Sequence, residues 1–158
     1  MNESTQQSPN TEPLISIITI TYNAAPHIKP TLSSIQEKTF RNFEHHVIDG
    51  ASTEDTLKLV TEITPHSIVK SERDKGLYDA MNKGLRQARG RYVLFLNAGD
   101  AFHAPDTLAK YAEAILESGF TPDIVYGDTV IVNSLREVTG PRQLSVPEQM
   151  NFRSFANG

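Results

Sequence analysis

The segment Leu14–Thr21, LISIITIT, is the feature that most narrows what this chain can fold into. Its apolar, β-branched residues do not alternate with charged ones, which is the profile of a strand covered on both faces. It closes on Tyr22-Asn23-Ala24-Ala25-Pro26, a loop sequence. The rest of the chain must therefore supply elements for both sides of this strand. With 158 residues it has enough for a single sizeable core.

Those elements follow in alternation. Ile28, Leu32 and Ile35 recur at helical spacing over Ile28–Lys38, with Pro30 tolerable only in a first turn. FEHHVIDG, Phe43–Gly50, is a second strand ending at Asp49. Ser52, with Asp55 three residues on, looks like a cap for a helix that turns Leu57, Val60 and Ile63 inward. HSIVKSE is a short third strand. Lys75–Arg89 is a helix with Leu77, Ala80, Met81, Gly84, Leu85 and Ala88 on one side, stopped by Gly90. RYVLFLN is a fourth strand, APDTLAKYAEAILESG a helix and DIVYGDTVIV a fifth strand. This order predicts an α/β fold, a mostly parallel sheet with helices on both faces. After Val132 the periodicity weakens.

Composition excludes several classes. There is no cysteine, so disulfides and thiolate metal sites are ruled out. A net charge of −4 argues against a nucleic-acid partner. No run approaches the roughly 18 apolar residues of a membrane span, and MNESTQQSPNTEP lacks the basic and apolar regions of a signal peptide. A cytoplasmic location and a polar tail over 1–13 are the expectations.

Ligands of open α/β sheets sit outside the carboxyl ends of the strands. Three such ends carry polar groups here: Thr21-Tyr22-Asn23, Asp49, and Asn97-Ala98-Gly99-Asp100. Asp100 is placed to hold a hard cation such as Mg²⁺ or Mn²⁺, which takes one or two carboxylates and fills its sphere with phosphate oxygens. The alternative for each aspartate is an ordinary turn former or helix cap. Neither Gly-x-Gly-x-x-Gly nor Gly-x-x-x-x-Gly-Lys-Ser/Thr occurs. His45 and His46 point to opposite faces of one strand and cannot chelate one ion together. His103 reads as a solvated loop residue.

Taken in order, ISIITITYNA, FEHHVIDGAST and ERDKGLYDAMNKGLRQARGRYVLFLNAGD resemble the inverting family 2 glycosyltransferases of GT-A (Rossmann-like) fold. DKGLYDAMNKG with FLNAGD is especially similar to the branch that builds bacterial surface polysaccharides. The resemblance runs from Ile15 to about Val132. It implies a nucleotide-sugar-binding domain over 14–132 and the start of an acceptor-side segment, poorly ordered, over 133–158. Thr21, Tyr22 and Asn23 match the segment that meets the nucleoside, and Asp49 matches the aspartate that contacts the base. Asp74, Gly76, Asp79, Ala80 and Asn82 match the stretch over the nucleotide-sugar, Asp79 being the chosen contact. Asn97 and Asp100 occupy the place of an Asp-x-Asp-type motif, Asp100 as the ligand to Mn²⁺ or Mg²⁺.

The chain departs from the family at Gly50, where a second acid is often found, at Met81, where many relatives carry arginine, and at Asn97, which replaces the motif's first acid. The family's catalytic base lies in a C-terminal half, which puts it beyond Gly158; Glu148, in SVPEQM, matches no base motif. The implied activity moves a sugar from a nucleoside diphosphate, UDP by preference, to a saccharide or lipid-linked acceptor with inversion. Peripheral association with the cytoplasmic face of a membrane fits such acceptors. The rival readings are a nucleotide-sugar-binding half-domain without turnover and a nucleotidyltransferase.

Overall fold

The computed structural model describes residues 12–119, 121–133, 135 and 137–142. Most of the expected tail, and everything after 142 including Glu148, lies outside the described residues. The chain divides into two compact units after residue 120.

In the first unit, β1 (Ile15–Thr21) pairs in parallel with β2 (Phe43–Asp49), from Ile15 opposite Phe43 to Thr21 opposite Asp49. β3 (Ile68–Ser71) lies outside β2, and β4 (Tyr92–Phe95) takes the other side of β1. The order is therefore β3-β2-β1-β4, all parallel. Main-chain bonds to β1 continue past β4, from Leu96 N–H to the Ile18 carbonyl and from Ala98 N–H to that of Ile20.

The run that opened the sequence is buried along its whole length, as expected. Its side chains alternate between two cores. Ile15 and Ile17 meet Ile35 of α1 (Ala25–Gln36) and Leu108 of α4 (Thr107–Glu117). Nearby, Ile28 and Leu32 of α1 cluster with Val47 and with Val60 of α2 (Thr56–Ile63). Ile18 and Ile20 face the other way, with Ile48 and Ala80 of α3 (Leu77–Leu85). The handedness rule explains this split. The chain steps one way from β1 to β3 and the opposite way from β3 to β4, so right-handed crossovers place α3 on the face opposite α1 and α2. A Cβ on Gly84 would lie 2.5 Å from Ile18 Cγ2, so glycine is what lets α3 settle onto the sheet.

Several boundaries differ from expectation. α1 starts earlier, with Pro26 in its first turn, so Pro30 lies inside the helix and leaves the carbonyl four residues back without its usual donor. α2 starts at Thr56, with no side-chain cap, because Ser52 is engaged elsewhere. α3 is shorter than its apolar pattern, and Leu77 and Leu85 at its ends are half exposed.

In the second unit, β5 (Thr129–Val132) begins later than the expected fifth strand and pairs antiparallel with β6 (Val138–Arg142) as a separate two-stranded sheet. The apolar residues of β5 are exposed, so its composition had mimicked a buried strand. β6 contains Gly140-Pro141, which hides it from any strand pattern. The connection is held by Asn133, whose Oδ1 accepts the amides of Leu135 at 2.9 Å and Glu137 at 3.0 Å. Among the described residues, no helix is long and apolar enough to cross a membrane.

Candidate functional site

The direction of chain progression reverses between β1 and β4, which makes the carboxyl edge there the topological switch point of the sheet. The loops that leave this edge hold most of the positive-φ backbone of the unit, Gly119 past α4 being the exception. Positive φ occurs at Asn23 (46°), Ala51 (66°), Gly76 (113°) and Gly99 (104°), one in each of the loops following β1 to β4. Such conformations cost energy for residues with a side chain and persist where the surroundings hold them.

Two of these loops are tied together through Asp49, which is fully buried. Its Oδ2 accepts the Ser52 amide at 2.9 Å and the Ser71 hydroxyl at 2.6 Å, while Oδ1 accepts the Ser52 hydroxyl. Ser52 Oγ in turn accepts the amide of Asn23 at 2.8 Å, and Asn23 Oδ1 accepts the amide of Thr53 at 3.0 Å. A carboxylate offers about four lone-pair sites, so roughly one is left for a ligand. Asp49 thus organises the turns after β1 and β2. Next to it, Thr21 is buried and its Oγ1 has no partner among the described residues. Tyr22 is 62% exposed, its ring lying over Gly50.

At Gly50, where a second acid is often found in the family, the space is already occupied. A Cβ there would lie 2.8 Å from Asp74 Oδ2 and 3.1 Å from Tyr22 Cδ2. Asp74, from the loop before α3, already brings a carboxylate to this position, and its Oδ1 accepts the Gly76 amide at 2.9 Å. Asp79 sits in the first turn of α3, where its Oδ2 accepts the Lys75 amide at 3.0 Å and faces Lys83 Nζ at 3.4 Å. The bond from the Lys75 amide, aided by Lys83, holds the carboxyl below the usual aspartate range. Asn82 is exposed on the same helix.

The fourth loop is built differently. Asn97 and Asp100 close a turn through the Asp100 amide on the Asn97 carbonyl at 3.0 Å. Asn97 Oδ1 is buried without a partner among the described residues. The Asp100 side chain is exposed, and no described residue engages its carboxylate. Thr31 of α1, fully buried, holds the turn: its Oγ1 accepts the Gly99 amide at 3.0 Å and donates to the Asp100 carbonyl at 2.6 Å.

The carboxyl edge therefore gathers Thr21, Tyr22, Asn23, Asp49 and Asp74 around Gly50, and presents Asn97 and Asp100 on the far side of β1. Sequence reasoning did not single out Thr31, and read Ser52 only as a helix cap. Thr31 carried a signal, as a hydroxyl between Ile28 and Leu32 on the inward side of a helix. A hard cation fits at Asp100 only with help. No group of three or more His, Asp or Glu residues among the described ones could hold a metal. One free carboxylate beside a buried, unpartnered amide oxygen is a donor set for Mg²⁺ or Mn²⁺ that is completed by phosphate oxygens and water.

The opposite edge carries a second polar cluster. Glu44 accepts the Ser16 hydroxyl at 2.6 Å and the Arg89 amide at 2.6 Å, and lies 3.1 Å from His46. Burial alone would raise its pKa, but the bonds from Ser16, Arg89 and His46 outweigh that and bring it down to about 2. His45 is buried between Thr19 Oγ1 (3.0 Å) and Ser67 Oγ (2.7 Å). That burial, with His46 alongside, pushes its pKa down to about 3. A cavity of about 620 Å³ opens here, lined by Pro13, Arg41, Asn42, Phe43, Glu44 and Arg89. It lies at the amino ends of the strands, the wrong end for a ligand site in such a sheet.

Comparison with known proteins agrees with this geometry. Residues 16–156 match Glycosyl transferase family 2. The chain is 39% identical over 123 residues to the PGL/p-HBAD biosynthesis glycosyltransferase of Mycobacterium bovis (strain BCG / Pasteur 1173P2), covering 75% of this chain and 48% of that protein. It thus spans about half the length of that curated relative. The crystal structure of S. aureus TarS in complex with UDP-GlcNAc superposes with a TM-score of 0.59 at 31% identity, covering 65% of this chain and 31% of that one. The mannosyltransferase PcManGT from Pyrobaculum calidifontis, in complex with GDP-Man and Mn²⁺, gives 0.58 at 32% identity over 69% of this chain and 34% of that one. The parallel sheet, flanked by helices on both faces, is the GT-A type of these enzymes. By the extent of the family match, the chain belongs to glycosyl transferase family 2.

Proposed function

We propose that this chain forms the donor side of a glycosyltransferase, holding a nucleoside diphosphate sugar, UDP-linked by preference, for inverting transfer to a saccharide or lipid-linked acceptor in bacterial glycan synthesis. The observation that carries this reading is Asp100, a carboxylate unpartnered among the described residues, on a pinned turn at the switch point that also holds the buried, unsatisfied side-chain oxygen of Asn97. The ligands held by TarS and PcManGT support the donor class.

In this reading Thr21, Tyr22 and Asn23 meet the nucleoside, Tyr22 offering an exposed ring. Asp49 takes a hydrogen bond from the base with its remaining lone pair. Asp79 and Asn82 line the donor from α3. Asp100, with Asn97, holds Mn²⁺ or Mg²⁺ against the diphosphate. The cation, when bound, offsets charge growing on the departing diphosphate. A carboxylate base takes the acceptor's proton; it is assigned to no described residue and is proposed to lie beyond Gly158. Action at the cytoplasmic face of a membrane follows from a lipid-linked acceptor.

The test is calorimetry of UDP binding with and without Mn²⁺. Asp100→Ala should abolish the metal's enhancement and leave the fold intact. Equal metal-assisted binding by both proteins removes Asp100 from this role. No described residue is assigned as the base, and on that ground a second reading is donor binding without turnover. A transfer assay separates the two.

A further inference from the structure

One helix holds the loop that carries Asp100, chiefly through main-chain atoms. Thr31, Ser34 and Lys38 recur on α1 and just past its end at spacings of three and four, so they share a face beside the apolar Ile28–Leu32–Ile35 stripe. All three are buried. Thr31 takes the Gly99 amide and the Asp100 carbonyl. Ser34 Oγ accepts the Phe102 amide at 3.2 Å. The Lys38 ammonium donates to the Ala104 carbonyl and lies 4.8 Å from the centre of the Phe102 ring. Thr39 N–H reaches the Pro105 carbonyl at 3.2 Å.

Within this ladder Thr31 has a distinct place. Its hydroxyl brackets Gly99 and Asp100, receiving the N–H ahead of the pair and giving its proton to the carbonyl behind it. Gly99 is held at a φ of 104°. Both residues are exposed, so apolar packing does not fix them. The Asp100 carboxylate has no side-chain partner among the described residues, and its direction is set by the backbone that Thr31 clamps.

We propose that Thr31 is the positioning residue for the cation–diphosphate contact: a buried hydroxyl on α1 that aims the Asp100 carboxylate without touching donor or metal. This rests on the reading of Asp100 given above. The apolar stripe of α1 does not depend on the hydroxyl, so its loss should loosen the turn and spare the fold.

The experiment uses the 158-residue chain and calorimetry of UDP with and without Mn²⁺, for wild type, Thr31→Val, Thr31→Ala, Thr31→Ser and Asp100→Ala. Valine keeps the volume, and alanine avoids setting a methyl group against the Asp100 carbonyl. Both should keep the wild-type circular dichroism and metal-free UDP affinity while losing roughly tenfold or more of the Mn²⁺ enhancement, the scale for losing a group that orients a metal ligand. Thr31→Ser should restore most of it, and amide exchange at Gly99 should speed up in the valine and alanine variants but not in the serine variant. If Asp100→Ala loses the enhancement and the valine and alanine variants retain it, Thr31 does not position the carboxylate, while the role of Asp100 stands. If Asp100→Ala retains the enhancement, both ideas fall together. Equal loss of metal-free and metal-assisted affinity, or failure of both variants to fold, makes the clamp part of the general structure and overturns the proposal.

Discussion

Asp49 and Ser52 exchange two hydrogen bonds across a three-residue turn, the amide and the hydroxyl of Ser52 both donating to one buried carboxylate. Ser71 adds a third donor from β3, and the Ser52 hydroxyl in turn receives the Asn23 amide from the loop after β1. One side chain thereby joins three strand ends, and several donors lose their acceptor if it is removed.

Asp49→Ala should therefore lower stability by roughly 1.5–3 kcal/mol, the scale for leaving buried donors of a charge-assisted bond unpaired. UDP affinity should fall with it if the base uses the carboxylate's remaining lone pair. Urea denaturation and calorimetry on the same preparation check both. A loss of stability with unchanged UDP affinity assigns Asp49 to the turn alone.

Gly99→Ala separates backbone conformation from space. Nothing lies within 4 Å of a Cβ built at Gly99, yet its φ is 104°. Alanine should cost about 1–2 kcal/mol through the left-handed backbone alone and weaken Mn²⁺-assisted UDP binding more than metal-free binding. Wild-type behaviour in both measurements would show that the turn adapts.

Acid stability should fall in two stages. The pKa of His45 lies at about 3 in the fold against an ordinary 6.5, so only the unfolded chain binds its proton between those values. Its contribution is fully present above about pH 6.5 and declines as pH falls toward 3. Glu44, lowered from 4.5 to about 2, adds a second decline below pH 4.5. His45→Gln should flatten the first stage and leave the second. Denaturation midpoints from neutral pH down to 4.5 decide it, and identical slopes for the two proteins would remove His45 as the cause.

If the base lies outside the described residues, as proposed, the chain should bind a UDP-sugar and transfer little of it. Absence of a general base alone costs about 10²–10⁴-fold in rate, and loss of acceptor positioning forfeits up to roughly 7–11 kcal/mol more. Turnover with saccharide or lipid-linked acceptors comparable to that of a full-length relative would place the base inside this chain. Asp128 and Glu148 would then be the first residues to substitute.

The sheet was legible because its evidence is local. β1 carries no charged residue and is buried throughout, and the polar residues that end it, Thr21 to Asn23, mark the carboxyl edge by themselves. Asp100 could be singled out because it falls in the place of an Asp-x-Asp-type motif, in order with the other matched segments. Ser52 was misread because a serine followed three residues later by an acid describes a helix cap. Only the position of Asp49 shows where that hydroxyl is committed. Thr31 escaped because its partners lie 68 and 69 residues away and are main-chain atoms, which sequence pattern does not reveal. The β5–β6 hairpin was missed for the opposite reason, since a strand containing Gly-Pro gives almost no signal of its own.

The pairing of Tyr92 with Ile15 brings together strands separated by the whole of α1, β2, α2, β3 and α3. Until that contact closes, the loop bearing Asp100 and the loop bearing Asn23 belong to unconnected stretches of polymer. Contacts this distant in sequence form slowly, because chain entropy must be lost before they yield any stabilisation. Donor binding in a refolding experiment should thus emerge only with the final, rate-limiting phase, after helical circular dichroism has begun to recover. A fluorescent nucleotide would then serve as a clock for completion of the sheet.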